Sequence, residues 1–473
     1  MGVQPRPPYR PRDAAASPLY RIVLEHVESF AAERREDSSA GPFAEASLRA
    51  FLECGIPRFG MARFRCPRCN TSRFVPFSCR RRIACVSCSA KRAVMESSRA
   101  LDELLPRVVY RQWVLVLPRR LRWFIHRDAR LAGEVTRILG EVLTARLVSR
   151  SHAPRGAAPA QFHALQRFGA TVNLHIHDHA VVSDGAFALE EGLLRFYPAP
   201  EPSAEELAEL VELLRRRILK RMRDLEAVPE EVVAGMLAWP HSGFSLNAEV
   251  RVEAEDREAL GRLLRYVLRP ALSLKKLSYD AREGVVRYRP GKEGLPHTLE
   301  WSPLQFMERF AAIIPPPRKH LTRYYGALGP RSRLRRALTA ATKAQATCEE
   351  LEAGFAVQWL LAAAKGVARA AREVASKASR AWAACIRRIF EVDPVLCEGC
   401  GGEMKLVAVI LRDSEIDRVL DHLGLPRDFP RNLPARAPPL PYDGDAGEGC
   451  RLDLRADDVR QDWPGRLGAD WPA

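Results

Sequence analysis

Three features of the sequence predict an α+β protein carrying a separate zinc-binding module. Two C-x2-C pairs, Cys66/Cys69 and Cys85/Cys88, lie close together in the first quarter of the chain. Apolar and polar residues alternate through 161–188 and again through 243–252, the period of half-buried strands. Helical apolar periods without internal proline occupy 128–149 and 203–226. Strands and helices interspersed in this way predict a central domain built on an antiparallel sheet. An N-terminal zinc ribbon-like domain is expected before it and a helical C-terminal region after it.

The composition bounds the partner. The 473 residues include 74 Lys and Arg against 58 Asp and Glu, a net charge of +16, which favours a polyanion such as nucleic acid over a membrane surface. With 47% hydrophobic and 28% charged residues, wholesale disorder is excluded. No uncharged apolar run reaches the ~18 residues of a membrane span. The start, MGVQPRPPYRPRDAAAS, has no apolar core like that of a signal peptide, so a cytosolic chain with reduced cysteines is expected.

Taken in order, residues 1–43 read as a Pro- and Arg-rich lead-in and a helix, and 44–108 as the zinc-binding domain, holding six of the eleven cysteines. The catalytic domain is expected over 109–336. It opens with a buried strand, YRQWVLVLP at 110–118, and closes with the Pro- and Arg-rich stretch Ile314 to Arg336. An Ala-rich helical region follows over 337–425, with Asp393-Pro394 as a stop, a Cys pair at Cys397/Cys400 and a short helix ending near Leu423. From 426 to 473 Pro, Gly and Asp dominate, and the tail reads as disordered. Trp113 and Trp123 sit in apolar contexts and read as core.

In a reducing compartment, Cys66, Cys69, Cys85 and Cys88 predict one structural zinc, because four thiolates leave no open position for a substrate. Cys54 and Cys79 read as core cysteines, with service as alternative ligands left open. Cys397 and Cys400 make half a zinc site, with His422 and Cys450 distant. Around the knuckles, Arg80, Arg81, Arg82, Lys91 and Arg92 offer a phosphate-contacting surface. The basic run Arg215, Arg216, Arg217, Lys220, Arg221 and Arg223 reads either as a second backbone track or as a solvated helix face.

The segment TVNLHIHDHAVV at 171–182 carries the most chemistry. On a strand, Val172, Leu174, Ile176 and Ala180 share the core face, while Asn173, His175, His177 and His179 share the other. Two neighbouring imidazoles can then converge on one divalent ion, with Gln166 as a possible oxygen ligand. In 255–269, Leu260, Leu263, Leu264, Val267 and Leu268 make one apolar stripe. Tyr266 lies off it among Arg262, Arg265 and Arg269, where positive charge would favour the phenolate needed to attack a phosphodiester.

These segments resemble a known family. CGIPRFGMARFRCPRCNTSRFVPFSCRRRIACVSCSAKR through LPRVVYRQWVLVLPRRLR is similar to the zinc-binding domain of rolling-circle transposases of the IS-ninety-one group. LQRFGATVNLHIHDHAVVSDG resembles their His–hydrophobic–His (HUH) strand, and FSLNAEV with LLRYVLRPAL resembles their catalytic tyrosine region. IIPPPRKHLTRYYGALGP and WAACIRRIFEVDPVLCEGCGGEMKLVAVI resemble later family segments, so the likeness runs in order from about residue 45 to 425.

The resemblance implies a DNA transposase that cuts and rejoins single-stranded or hairpin transposon ends through a 5′-phosphotyrosyl intermediate at Tyr266. Mg2+ or Mn2+ is implied as the catalytic ion, zinc as the structural one, and a bacterial nucleoid-associated location. His177 and His179 are the aligned pair. His175 and His177 are the alternative, because Asp178 stands where the family has an apolar residue; on the core face it needs an Arg or Lys partner or a place near a sheet edge. Arg262 occupies the position of the second tyrosine found in some relatives, which implies a single-tyrosine enzyme with Tyr324 and Tyr325 as fallback nucleophiles. A relaxase or replication initiator, and a non-catalytic zinc-dependent DNA-binding protein, are the alternatives.

Overall fold

The computed structural model describes residues 16–33, 42–239, 243–291, 297–348 and 397–428, with Pro434. Most of the expected lead-in, the Ala-rich helix beyond residue 348 and the tail lie outside them. Helices α1 (Pro18–Glu33) and α2 (Pro42–Leu52) precede the hairpin β1 (Met61–Arg65) and β2 (Ser72–Pro76), followed by α3 (Val86–Arg99). Next come β3 (Tyr110–Val116), α4 (Arg119–Arg127), α5 (Ala129–Arg150), β4 (Ala160–Phe168) and β5 (Leu174–Ser183). The chain continues through β6 (Gly185–Glu190), β7 (Leu193–Pro198), α6 (Ala204–Asp224), α7 (Glu230–Leu237), β8 (Ser245–Asn247), β9 (Arg251–Val252) and α8 (Arg257–Val267). It closes with β10 (Leu277–Asp280), β11 (Val285–Tyr288), β12 (Leu299–Trp301), α9 (Pro303–Ile313), β13 (Thr322–Gly326), α10 (Leu334–Cys348), β14 (Lys405–Ile410) and α11 (Asp413–His422). Among the described residues no helix is long and apolar enough to cross a membrane.

The architecture is α+β with antiparallel sheets. The central sheet runs β13-β4-β5-β3-β8, with β9 also on β3. Strand β5 sits in the middle, and all ten of its residues are buried. One face, with Trp113, Leu115, Leu165, Ile176, Ala180 and Val182, packs into the core that also takes residues of α1, α5 and α9. The other carries Phe162, Ala164 and Val181 and is covered by Leu260, Leu263, Leu264 and Val267 of α8. The histidine strand is therefore buried on both faces.

Three elements depart from expectation. The stretch read as a closing Pro- and Arg-rich segment contributes β13, an edge strand on β4 with Tyr324 opposite Phe162. Its partner is remote in sequence, so no local period betrays it. The 243–252 alternation divides into β8 and β9, both on β3. Trp113 is core, but Trp123 is half-buried on α4, stacked on His126 at 6.3 Å with the Arg127 guanidinium 4.5 Å from its ring.

Candidate functional site

Strand alternation puts His175, His177 and His179 on the α8 side of β5. Their rings form a row, with centroids 4.8 Å apart between His175 and His177 and 4.7 Å between His177 and His179. The row continues into Tyr266, whose ring meets His179 edge-on at 5.8 Å. Two hydrogen-bonded registers fix this arrangement. Gln166 lies opposite His177 and Ala164 opposite His179 across β4, while Val116 and Val114 oppose the same two histidines across β3.

Side-chain bonds then hold the rings and the helix. His177 Nδ1 donates to the His175 carbonyl at 3.2 Å, which directs its Nε2 lone pair outward from the strand. The Gln112 side-chain amide lies 2.8 Å from His179 Nδ1. As placed, Gln112 Nε2 donates to His179 Nδ1; a cation on His179 Nε2 would require the Gln112 amide turned over, so that its carbonyl oxygen accepts from a protonated Nδ1. Gln166 Nε2 donates to the Val267 carbonyl at 2.8 Å, tying β4 to the residue after Tyr266. Arg269 caps the phenol, its guanidinium 5.1 Å from the Tyr266 ring and 5.4 Å from Phe168.

The donor set suits a divalent cation. The Nε2 atoms of His175, His177 and His179 are each buried, and the buried Gln166 Oε1 has no hydrogen-bond partner among the described residues. Imidazole nitrogens are borderline donors that suit zinc and other transition ions, and the neutral Gln166 oxygen adds one hard donor of the kind Mn2+ or Mg2+ takes.

Asp178 points the other way, into the core. Its partner is His163, with Nδ1 2.7 Å from Asp178 Oδ2 and both side chains fully buried. This corrects the expectation of an Arg or Lys partner or a sheet edge: β5 is central, and a histidine one strand away meets the carboxylate. The fallback tyrosines are neighbours on β13 and lie on opposite faces of the sheet, Tyr325 in the inner layer with His163 and Tyr324 on the α8 side with Phe162. Tyr325 packs edge-on against His163 at 4.8 Å and hydrogen-bonds Thr136, while Tyr324 packs on Phe162 at 5.6 Å. Burial raises both phenols above their ordinary value.

The cysteines group differently from the sequence reading. Cys85 and Cys88 cluster with Cys54 and Cys79, and Cys66 and Cys69 cluster with Cys397 and Cys400. Strand β2 explains the division. Its five residues carry the chain about 17 Å away from the first knuckle, too far for both C-x2-C pairs to share one ion. Cys54 and Cys79 are thus part of a thiol cluster rather than plain core, and Cys397/Cys400 is half of a complete set. Within the first cluster Sγ atoms lie 3.6–3.8 Å apart, matching the ~3.8 Å edge of a tetrahedron with Zn–S bonds of 2.3 Å. No signal in the C-x2-C spacing alone could have paired Cys54 with Cys79.

The basic residues fall into two groups. Arg80 and Arg81 are exposed beside the half-buried Arg82 at the mouth of a cavity of about 700 Å³. Arg318, Lys319 and His320 line its other side, and Arg82 bonds the Lys319 carbonyl at 3.2 Å. No carboxylate is among the described residues that line it. A smaller adjoining cleft is lined by Arg82, Arg92, Glu96, Gln166, Val267 and Arg269. Arg92 pairs with Glu96 and Arg262 with Glu258, Arg265 is exposed, and Lys91 is half-buried on α3. By contrast, the basic run of α6 is spent internally: Arg217 pairs with Glu141, Arg221 with Glu134, Arg215 and Arg216 with Glu212.

Known families match these same segments. Residues 161–336, which hold the histidine row and Tyr266, match the family Y2_Tnp, described as "Putative transposase". Residues 22–117 match Zn_Tnp_IS91, the "Transposase zinc-binding domain". Both matches are to families of transposases. No curated protein and no solved structure matches the chain. The zinc-binding match encloses the whole first thiol cluster, and together they support structural zinc at Cys54, Cys79, Cys85 and Cys88. Cys397 and Cys400 lie outside both matched segments.

Proposed function

We propose that the chain is a metal-dependent tyrosine transposase that cleaves and rejoins single-stranded DNA at transposon ends. The observation that carries this reading is the row of three imidazoles ending at Tyr266, inside the segment that matches a transposase family.

His177 and His179, with Gln166 Oε1 and His175 beside them, would hold the Mg2+ or Mn2+ ion. When bound, that ion supplies positive charge to a non-bridging oxygen of the scissile phosphate. Tyr266 supplies the nucleophile. Its oxygen bonds to phosphorus as the P–O3′ bond breaks, leaving a 5′-phosphotyrosyl link and a free 3′-hydroxyl; net, the phenol's proton ends on the departing oxygen. Because the ester bond is exchanged rather than hydrolysed, the reverse attack by a 3′-hydroxyl rejoins strands without ATP. Arg269 lies over the phenol ring, where its charge is attracted to the ring face. Gln112 and Gln166 are positioning residues, one orienting the His179 ring and the other locking the end of α8 to the sheet.

The DNA strand is read as entering along the acid-free cavity of Arg80, Arg81, Arg82, Arg318 and Lys319 and passing through the cleft at Arg92 and Arg269. Arg262 and Arg265 extend the basic surface on α8, and Lys91 extends it on α3. The pull of burial, and then of the Arg92 charge, lowers Arg82 from its ordinary value, as expected where cations face one another awaiting phosphate.

Incubation of the protein with labelled single-stranded end DNA and Mg2+ or Mn2+ should yield a DNA-linked band on a denaturing gel. Tyr266→Phe should abolish that band while leaving DNA binding intact. A band that survives this substitution assigns the nucleophile elsewhere, and no band with any end sequence favours a DNA-binding protein without catalysis.

A further inference from the structure

We propose that Cys66, Cys69, Cys397 and Cys400 form a second structural zinc site that clasps the C-terminal strand onto the N-terminal hairpin. The four sulfurs lie within 4.8 Å of one another although the pairs are more than 300 positions apart, with Cys66 3.4 Å from Cys400 and Cys69 3.3 Å from Cys397. All are free thiols, so no disulfide accounts for the approach.

The backbone gives independent support, because the two pairs sit in matching turns. After Cys69 the chain turns left-handed at Asn70, φ 60°, whose N–H donates to the Cys66 carbonyl at 3.0 Å. After Cys400 it turns left-handed at Gly401, φ 66°, whose N–H donates to the Cys397 carbonyl at 2.8 Å. The return bonds match as well: Cys66 N–H donates to the Thr71 carbonyl at 2.9 Å and Cys397 N–H to the Gly402 carbonyl at 2.8 Å. Two such knuckles facing each other present four sulfurs to one point, the arrangement a closed tetrahedral site requires.

The elements behind the knuckles need such a clasp. Strand β14 pairs with β1 from Met61 opposite Ile410 to Arg65 opposite Lys405, making the third strand of the hairpin's sheet. Its apolar support is small: Met61, Ile410, Ile416 and Leu420 form the buried cluster, and Arg58–Asp417 and Arg73–Glu398 add ion pairs at its margin. A unit of this size lacks the core to hold itself, and small modules of this kind are completed by metals. Thiolate-only tetrahedral sets select zinc or iron, and a closed set of two facing C-x2-C knuckles is the pattern of structural zinc.

Metal analysis of the full-length protein tests the assignment. Two zinc ions per chain are expected, falling to one in Cys397→Ser/Cys400→Ser. Alkylation of native protein, read by mass spectrometry, separates a metal site from mere proximity, because Cys69 and Cys400 are exposed in the fold. Both should resist alkylation until a chelator is added. In the double-serine variant Cys66 and Cys69 should become reactive while Cys54, Cys79, Cys85 and Cys88 stay protected, which shows that the variant still folds. One zinc per chain in the parent, iron in place of the second zinc, or Cys69 and Cys400 alkylated as fast before chelation as after it would overturn the proposal. None of these readouts depends on DNA cleavage.

Discussion

Asp178 stands between two histidines where the resemblance implied an apolar residue, and its carboxylate is held in the core through Oδ2. His163 donates from Nδ1 to its carboxylate, and His163 Nε2 lies 3.0 Å from Gln161 Oε1. The Gln161 amide nitrogen is engaged with Gly140 and Thr144, so its oxygen faces the ring and accepts. An imidazole that faces an acceptor at each nitrogen donates from both only when it carries a proton on each, and Asp178 would then supply the compensating charge. A lone charge left in this core is costly. Asp178→Ala should therefore lower stability by about 3–5 kcal/mol in urea unfolding, whereas exchanging both partners for leucine should cost far less. A small loss in the single variant would mean that the pair is not charged. On the opposite face, Gln112→Ala removes the partner of His179 Nδ1. Outer partners of this kind are worth roughly ten- to a hundred-fold in metal affinity, so Mn2+ titration of the proposed site should weaken by that amount with the fold intact. Unchanged affinity would place the ion away from His179.

At the scale of elements, local periods found the helices and strands that face a core on one side. The 128–149, 203–226 and 255–269 helices appear as Ala129–Arg150, Ala204–Asp224 and Arg257–Val267, and the strand at 110–118 as Tyr110–Val116. The three histidines share a face because strand alternation alone decides it. Pairings between distant segments were not legible: Tyr324–Tyr325 as an edge strand, Cys54 with Cys79, and His163 with Asp178 all depend on where the chain returns. One clue to the cysteines was present. Cys69 and Cys400 are each followed by a residue that tolerates a left-handed turn, Asn70 and Gly401, whereas Cys88 is followed by Ser89 and lies on α3. Charge was similarly ambiguous until pairing was known. Since the α6 arginines are held by Glu134 and Glu141, alanine at Arg217 and Arg221 should leave the salt dependence of single-stranded DNA binding unchanged. Alanine at Arg80, Arg81, Arg318 and Lys319 should flatten it, by ~0.7 in the log–log slope for each phosphate that is no longer neutralised. Binding isotherms at several salt concentrations distinguish the two sets, and equal effects would remove the cavity from the proposed path.

Across the whole molecule, the zinc module and the catalytic sheet share one interior. Cys54 and Cys85 belong to the same buried cluster as Leu19 and Val23 of α1, Trp113 and Leu115 of β3, Ile176 of β5 and Phe306 of α9. The ligands of the first thiol cluster are therefore packed into the layer that supports the histidine row from behind. Metal binding to a thiol set of this kind contributes directly to folding free energy, and in a shared core that contribution is not confined to the module. Removing the first zinc, by Cys54→Ser or by chelation, should lower the melting temperature of the catalytic sheet itself. In a variant that keeps Trp113 as its sole tryptophan, this side chain, buried at 2% exposure in the middle of that layer, reports on the sheet through its fluorescence. Its transition should move down together with the loss of helical signal in circular dichroism, as one cooperative event. If the zinc module were an independent appendage, chelation would instead produce an early partial transition while the Trp113 signal held its original midpoint. Coincident, lowered transitions would tie zinc occupancy to the geometry at Tyr266, so that loss of the structural metal silences cleavage without touching any residue of the proposed catalytic row.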